Sequence, residues 1–153
     1  MKILNYLFTV NVNVNSCVSI KSNYNPFQYS YKNDIYYYGS IHRKKIKREY
    51  DLMGKVEDHH IIPKSLNKHP VIVETKFPIH CSMNIKMMPS SRFSDIDNKI
   101  LIHKSHHKYN WFIKETLDEI YSETKEEYRP VILVDLIHQL YDKLNYKDNV
   151  PWN

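Results

Sequence analysis

The sequence predicts an α+β fold: a short β-hairpin followed by a helix, with an arm in front and an additional helix behind. Three observations carry that prediction. Between Val56 and Pro89 the apolar residues stand in short β-branched runs closed by proline, as strands do. From about residue 103 onward they recur at helical spacing instead. The first 40 residues are rich in tyrosine and asparagine and hold neither pattern for long.

Taken in order, residues 1–50 read as a tyrosine-rich, basic arm. The alternation in Phe8-Thr9-Val10-Asn11-Val12-Asn13-Val14 predicts a short strand. Asn5, Asn11 and Asn13 interrupt the apolar start, and no small-x-small cleavage site follows it, so a strand is preferred to a signal peptide. Turn signals follow at Asn23 to Pro26 and at Gly39. His42-Arg43-Lys44-Lys45-Ile46-Lys47-Arg48 is a compact basic run with two readings. It is either a solvated, partly helical face or a set of phosphate contacts through Arg43, Lys44 and Lys45. Tyr36, Tyr37 and Tyr38 beside it suit packing or stacking on exposed bases.

Residues 51–118 form the predicted core. Strand signals run from Val56 to Pro63, over Val71-Ile72-Val73, and from Asn84 to Pro89. After the turn-forming Ser90-Ser91 and Ser94-Asp95, a helix is predicted from near His103 through Trp111, Phe112, Leu117 and Ile120. Residues 119–153 form a helical extension. Pro130 marks its start, and Ile132, Leu133, Leu136, Ile137, Leu140 and Leu144 line one stripe. No internal repeat is present.

Composition bounds the function. A length of 153 residues suits one modest domain with added segments. The net charge of +5 and a pI near 9.0 favour a polyanionic partner such as nucleic acid. Two glycines leave no glycine-rich phosphate loop, which argues against a nucleotide cofactor. Cys17 and Cys81 stand alone, with no Cys-x-x-Cys pair, so a reducing, intracellular compartment is expected. No stretch approaches the roughly 18 apolar residues of a membrane span.

The chemistry concentrates in Asp58-His59-His60-Ile61-Ile62-Pro63-Lys64-Ser65. With nine histidines in the chain, an adjacent pair is close to a chance event, so context must carry the weight. Neighbours on a strand point to opposite faces. His59 and His60 are therefore poorly placed to grip one ion together but well placed to divide labour. One can ligate a metal while the other approaches a water, since a neutral imidazole suits both tasks at pH 7. Downstream, His103 lies three residues before His106 and four before His107, so either pair would share one helix face. A strand histidine and two helical histidines would give a three-nitrogen site with an open position.

His59-His60-Ile61-Ile62-Pro63, Asn84-x-x-x-Met88-Pro89 and His106-His107-Lys108-Tyr109-Asn110 together resemble the HNH, or ββα-metal, endonuclease superfamily. The likeness is to branches with His-His-Ile-x-Pro, Asn-x-x-x-Leu-Pro and His-x-x-Tyr-Asn blocks, as in many bacterial toxin nucleases. It covers roughly residues 55–115, and the order of the blocks makes it more specific than any block alone. The resemblance implies that His59 binds one divalent metal ion and that His60 is the general base. A shifted register, with Asp58 as ligand and His59 as base, fits less well, because the base stands just before the apolar pair and proline. Asn84 matches the family's middle asparagine, which braces the turn and orients the base. The last ligand departs from pattern. His106 has the right offset to Tyr109, but related toxins carry another histidine four residues before it, and His103 is three before. A one-residue deletion would restore the match, or His103 and His107 form the pair instead; the resemblance puts His106 first as ligand, His103 next as co-ligand or phosphate contact, and His107 third.

The implied reaction is metal-dependent hydrolysis of phosphodiester bonds in DNA, with RNA as the other substrate. Lys64, Lys104 and Lys108 flank the site as phosphate contacts or as plain solvated lysines. A histidine-rich ligand set suits zinc, nickel or manganese, while magnesium can serve with few protein ligands. The alternative is a non-catalytic nucleic-acid-binding module with a structural zinc, for which no base at His60 is required. A third possibility, an interaction protein using the C-terminal helices, has no specific residue in its favour. Oligomeric state and biological role, whether defence, toxin or viral genome processing in a host cell, are not encoded in these motifs.

Overall fold

The computed structural model of the chain describes residues 33–92 and 98–152. The strand expected at Phe8 to Val14, the turns at Asn23 to Pro26 and Ser94-Asp95, and Cys17 lie outside the described residues. The fold is α+β, with one two-stranded antiparallel sheet and helices packed around it. In chain order the elements are α1 (Ile41–Glu49), β1 (Val56–His60), α2 (Pro70–Thr75), β2 (Ile85–Pro89), α3 (His107–Glu123) and α4 (Arg129–Lys143).

The basic run becomes α1. Gly39 takes φ +79°, a conformation that suits glycine, and Ser40 then caps the helix by accepting the Arg43 backbone N–H. Lys47 and Arg48 fall in the last turn, where positive charge complements the helix dipole. β1 and β2 pair with His59 opposite Lys86 and His60 opposite Ile85. Glu57 and His59 therefore share one face of β1, and Asp58 and His60 share the other.

The β1–β2 connection differs from expectation. Val71-Ile72-Val73 is helical, not a strand, and belongs to α2. Two local signals override the β-branched propensity. Pro70 sits at the first helical turn, and the His69 ring accepts the Val71 N–H as a cap. Val71 and Ile72 are buried, and His69 bonds Asp118 of α3 at 2.9 Å. That contact ties the connection to the helix behind the hairpin.

Ile61 and Ile62 follow β1 directly and are fully buried. They join Val71 and Ile72, the Phe112, Ile113, Leu117 and Ile120 side of α3, and Leu133, Leu136, Ile137, Leu140 and Leu144 from α4 and its end. Burying side chains of this size contributes about 1.5–3 kcal/mol each, which is what holds so short a hairpin in place. Trp111, expected in the same helix as Phe112, Leu117 and Ile120, instead faces solvent at 62% exposure. No helix among the described residues is long and apolar enough to cross a membrane.

Candidate metal centre and active site

β1 presents its two histidines to two different environments. His59 is buried, and its Nε2 has no hydrogen-bond partner among the described residues. Against it lie His103 and His106, with ring centroids 5.2 and 4.9 Å away. One ligand nitrogen from each of the three rings falls within 4.8 Å of the others. The outer nitrogens are engaged. Glu57 bonds His103 Nδ1 at 2.7 Å, and Asn110 bonds His106 Nδ1 at 2.9 Å. In both rings Nε2 is left facing the cluster. A carboxylate or amide behind a ligand ring sets its tautomer and orientation, as partners of metal-bound histidines commonly do.

A buried imidazole with no partner is unfavourable unless something binds it. The His59 nitrogen thus fits a cation rather than empty space. Burial, reinforced by His106 and His103, holds His59 far below its ordinary pKa, so the ring is neutral and able to ligate. Burial likewise lowers His106, against the opposing effect of its bond to Asn110. Lys86, opposite His59, is held away by bonding the Tyr141 carbonyl at 2.7 Å and by lying over the Tyr141 ring. Trp152 closes the cluster, 5.2 Å from His59 and 4.9 Å from His106, and Tyr109 packs beside both.

On the opposite face, His60 is half-buried in a cleft of about 300 Å³. The cleft is lined by Tyr38, Asp58, both histidines of the pair, Pro63, Lys64, Ser65, His103, His106 and Asn110. It therefore opens on the cluster as well as on His60. Burial first, then His80 and Lys64, lower His60 to about 4, with Asp58 opposing. The free ring is neutral at pH 7 and can accept a proton. Its Nε2 lies 2.9 Å from His80 Nδ1, and the Tyr38 ring covers it at 4.4 Å. Asp58 on the same face is clamped by Arg43 at 2.8 Å and Lys47 at 3.0 Å. Burial alone would raise the Asp58 carboxyl, but those two hydrogen bonds outweigh it and hold it below the usual value.

Asn84 is fully buried beneath the site. Its side chain accepts the Ile62 N–H at 2.7 Å and donates to the Ile62 and Ile79 carbonyls at 3.0 and 2.8 Å. The Tyr109 hydroxyl donates to the Ile61 carbonyl at 2.6 Å. The turn after His60 is thereby fixed from two sides.

Several expected positions are rearranged. His103 is not helical, because α3 begins only at His107 and His106 sits at its cap with non-helical backbone. His103 instead lies in an extended segment bridged to Ser90, with its N–H on the Pro89 carbonyl at 2.7 Å. The end of β2 delivers it to the cluster, so its three-residue spacing to His106 does not mark a shared helix face. His107 is exposed and outside the cluster. Arg43, expected among the phosphate contacts, is buried against Asp58, whereas Lys44, Lys45, Lys64, Lys104 and Lys108 are exposed. Reasoning from sequence gave no site role to Glu57, Asn110, Trp152 or His80; of these only Asn110 stands in a quoted motif, the His106-to-Asn110 block.

The AHH family model, described as a nuclease family of the HNH/ENDO VII superfamily with conserved AHH, matches residues 42–144. The matched range holds two adjacent histidine pairs, in Asp58-His59-His60 and in Ser105-His106-His107, and neither is preceded by alanine. No curated protein and no solved structure gives a match to the chain. The chain belongs to the AHH nuclease family.

Proposed function

We propose that this AHH-family nuclease hydrolyses phosphodiester bonds of DNA with one divalent metal ion, by HNH-type chemistry, and that His60 is the general base. The observation that carries the reading is the division of β1. The unpartnered His59 nitrogen meets two further imidazoles on one face, and a neutral, half-buried imidazole faces the same cleft from the other.

His59, His103 and His106 would hold the ion. An all-imidazole set favours zinc, nickel or manganese over magnesium. When bound, the ion supplies Lewis-acid neutralisation of charge on the phosphate and the leaving oxygen. His60 takes a proton from a water as that water attacks phosphorus in line. Glu57 and Asn110, bonded to Nδ1 of His103 and His106, would leave the Nε2 of each ring to hold the ion. Lys64, at the cleft, and the exposed Lys104 and Lys108 would hold neighbouring phosphates. The exposed Lys44 and Lys45 on α1 would be further phosphate contacts, while Arg43 orders Asp58.

Nicking of supercoiled plasmid by wild type and His60→Ala, each with added manganese or with chelator, tests the reading. Wild type should nick only with metal, and His60→Ala should be slower by about 10²–10⁴. A His60→Ala protein that nicks as fast as wild type would overturn the base. If neither protein cuts but both bind DNA, the structural-zinc binding module gains instead. Equal cleavage of an RNA substrate would shift the substrate assignment without touching the site.

A further inference from the structure

His60 does not stand alone. Its Nε2 lies 2.9 Å from Nδ1 of His80, a residue 20 positions downstream in the loop between α2 and β2. That loop is held by three tethers close to the ring. The Asn84 amide donates to the Ile79 carbonyl at 2.8 Å, the Tyr38 N–H donates to the His80 carbonyl at 2.8 Å, and Asp34 accepts the Ser82 N–H at 2.6 Å. The Tyr38 ring, 4.4 Å from His60 and 5.8 Å from His80, packs on both imidazoles. The contact is therefore built by the fold around it.

Two neutral imidazoles at this distance share one proton, so one ring nitrogen donates and the other accepts. The two tautomers differ in consequence. If His60 donates from Nε2, its Nδ1 keeps a lone pair and can take a proton from water. If His80 donates, His60 must carry its proton on Nδ1 and has no free lone pair left. His80 is exposed, so its own proton can sit on Nε2, where water satisfies it, leaving Nδ1 to accept. Once His60 is protonated, its Nε2–H still donates to His80, so the first arrangement survives the proton transfer and the second does not.

We propose that His80 is a positioning residue: it accepts a hydrogen bond from His60 Nε2 and so fixes the tautomer and the ring orientation in which Nδ1 is the basic nitrogen. The proposal rests on the reading of His60 as the base. The role is that of the group which holds a catalytic histidine in its working tautomer, filled here by a second imidazole.

The test compares full-length wild type, His80→Ala, His80→Asn and His60→Ala. Plasmid nicking is measured in manganese at varied DNA concentration. Long-range ¹H–¹⁵N spectra of the metal-free proteins read the tautomer of His60. His80→Ala should lower kcat by about 10–100-fold, the usual cost of losing such an outer partner, with KM within about twofold of wild type. His80→Asn places an amide oxygen near the lost Nδ1 and should recover most of that loss. His60 should be protonated at Nε2 in wild type and His80→Asn, and a tautomer mixture in His80→Ala. Two results would overturn the proposal: His80→Ala cutting like wild type, or His80→Asn as slow as His80→Ala with His60 in one tautomer throughout. His60→Ala at wild-type rate is a different failure, since it removes the base itself.

Discussion

The two faces of β1 differ in everything except the residue type they present. On the His59 face the neighbours are rings from later in the chain: the half-buried His103 beside β2 and His106 at the cap of α3, then the buried Tyr109 and Trp152. On the His60 face they are more open and come mainly from the segment before the strand and the loop after it: Tyr38, Arg43 and Lys47 through Asp58, and His80. Burial lowers both imidazoles, yet one is enclosed by rings and the other is half-open to a cleft. On the proposed reading, a single pleat is enough to separate a site for an ion from a site for a proton. The strand needs no intervening residue, because its period of two already separates the faces.

Three experiments bear on that contrast, taken in descending order of size. Asn84 lies under both faces, since it bonds Ile62 after the pair and Ile79 next to His80. Asn84→Ala leaves three buried backbone groups unpaired and should destabilise the fold by about 3 kcal/mol or more. Chemical denaturation reads this directly, and an unchanged midpoint would show that the faces are held independently of the loop. Next, substitutions on the His59 face should grade by distance from the ion. His106→Ala should weaken zinc binding by about 100-fold or more, Glu57→Ala by about 10-fold, and His107→Ala not measurably. Calorimetric titration gives all three, and a strong effect at His107 would displace His106 as ligand.

The third and smallest outcome concerns pH. His59, His60 and His106 all have native pKa values below the ordinary one. As pH falls below about 6.5 the unfolded chain takes up protons that the native chain refuses until lower pH, near 4 for His60. Stability of the metal-free protein should be level above pH 7 and decline between about 6.5 and 4, read as a Tm lower by a few degrees. Added zinc should delay that decline on the His59 side only. A flat profile would mean that these rings are not confined as described.

Much of this was legible in sequence, for reasons that are local. The α4 stripe from Leu133 to Leu144 and the buried Ile61-Ile62 pair announce themselves by period and by proline, and the pair's alternation already separates His59 from His60. What was not legible depends on contacts distant in sequence. His103 carries the same spacing to His106 whether or not it is helical, and only its pairing with Ser90 decides. Val71-Ile72-Val73 has strand residues but a helix cap and Pro70. Arg43 looks like its neighbours in a basic run, and only the fold sets it against Asp58 rather than solvent. Trp152 and His80 are single residues without a motif, so nothing short of three-dimensional structure places them at the site.

Whether one strand divides ion and proton between adjacent histidines is decided by measuring zinc affinity and plasmid nicking side by side in His59→Ala and His60→Ala. His59→Ala should lose both, while His60→Ala should keep wild-type affinity and lose cleavage by about 10²–10⁴. If His60→Ala lost zinc as His59→Ala does, or if His59→Ala kept it, the division of labour would be contradicted.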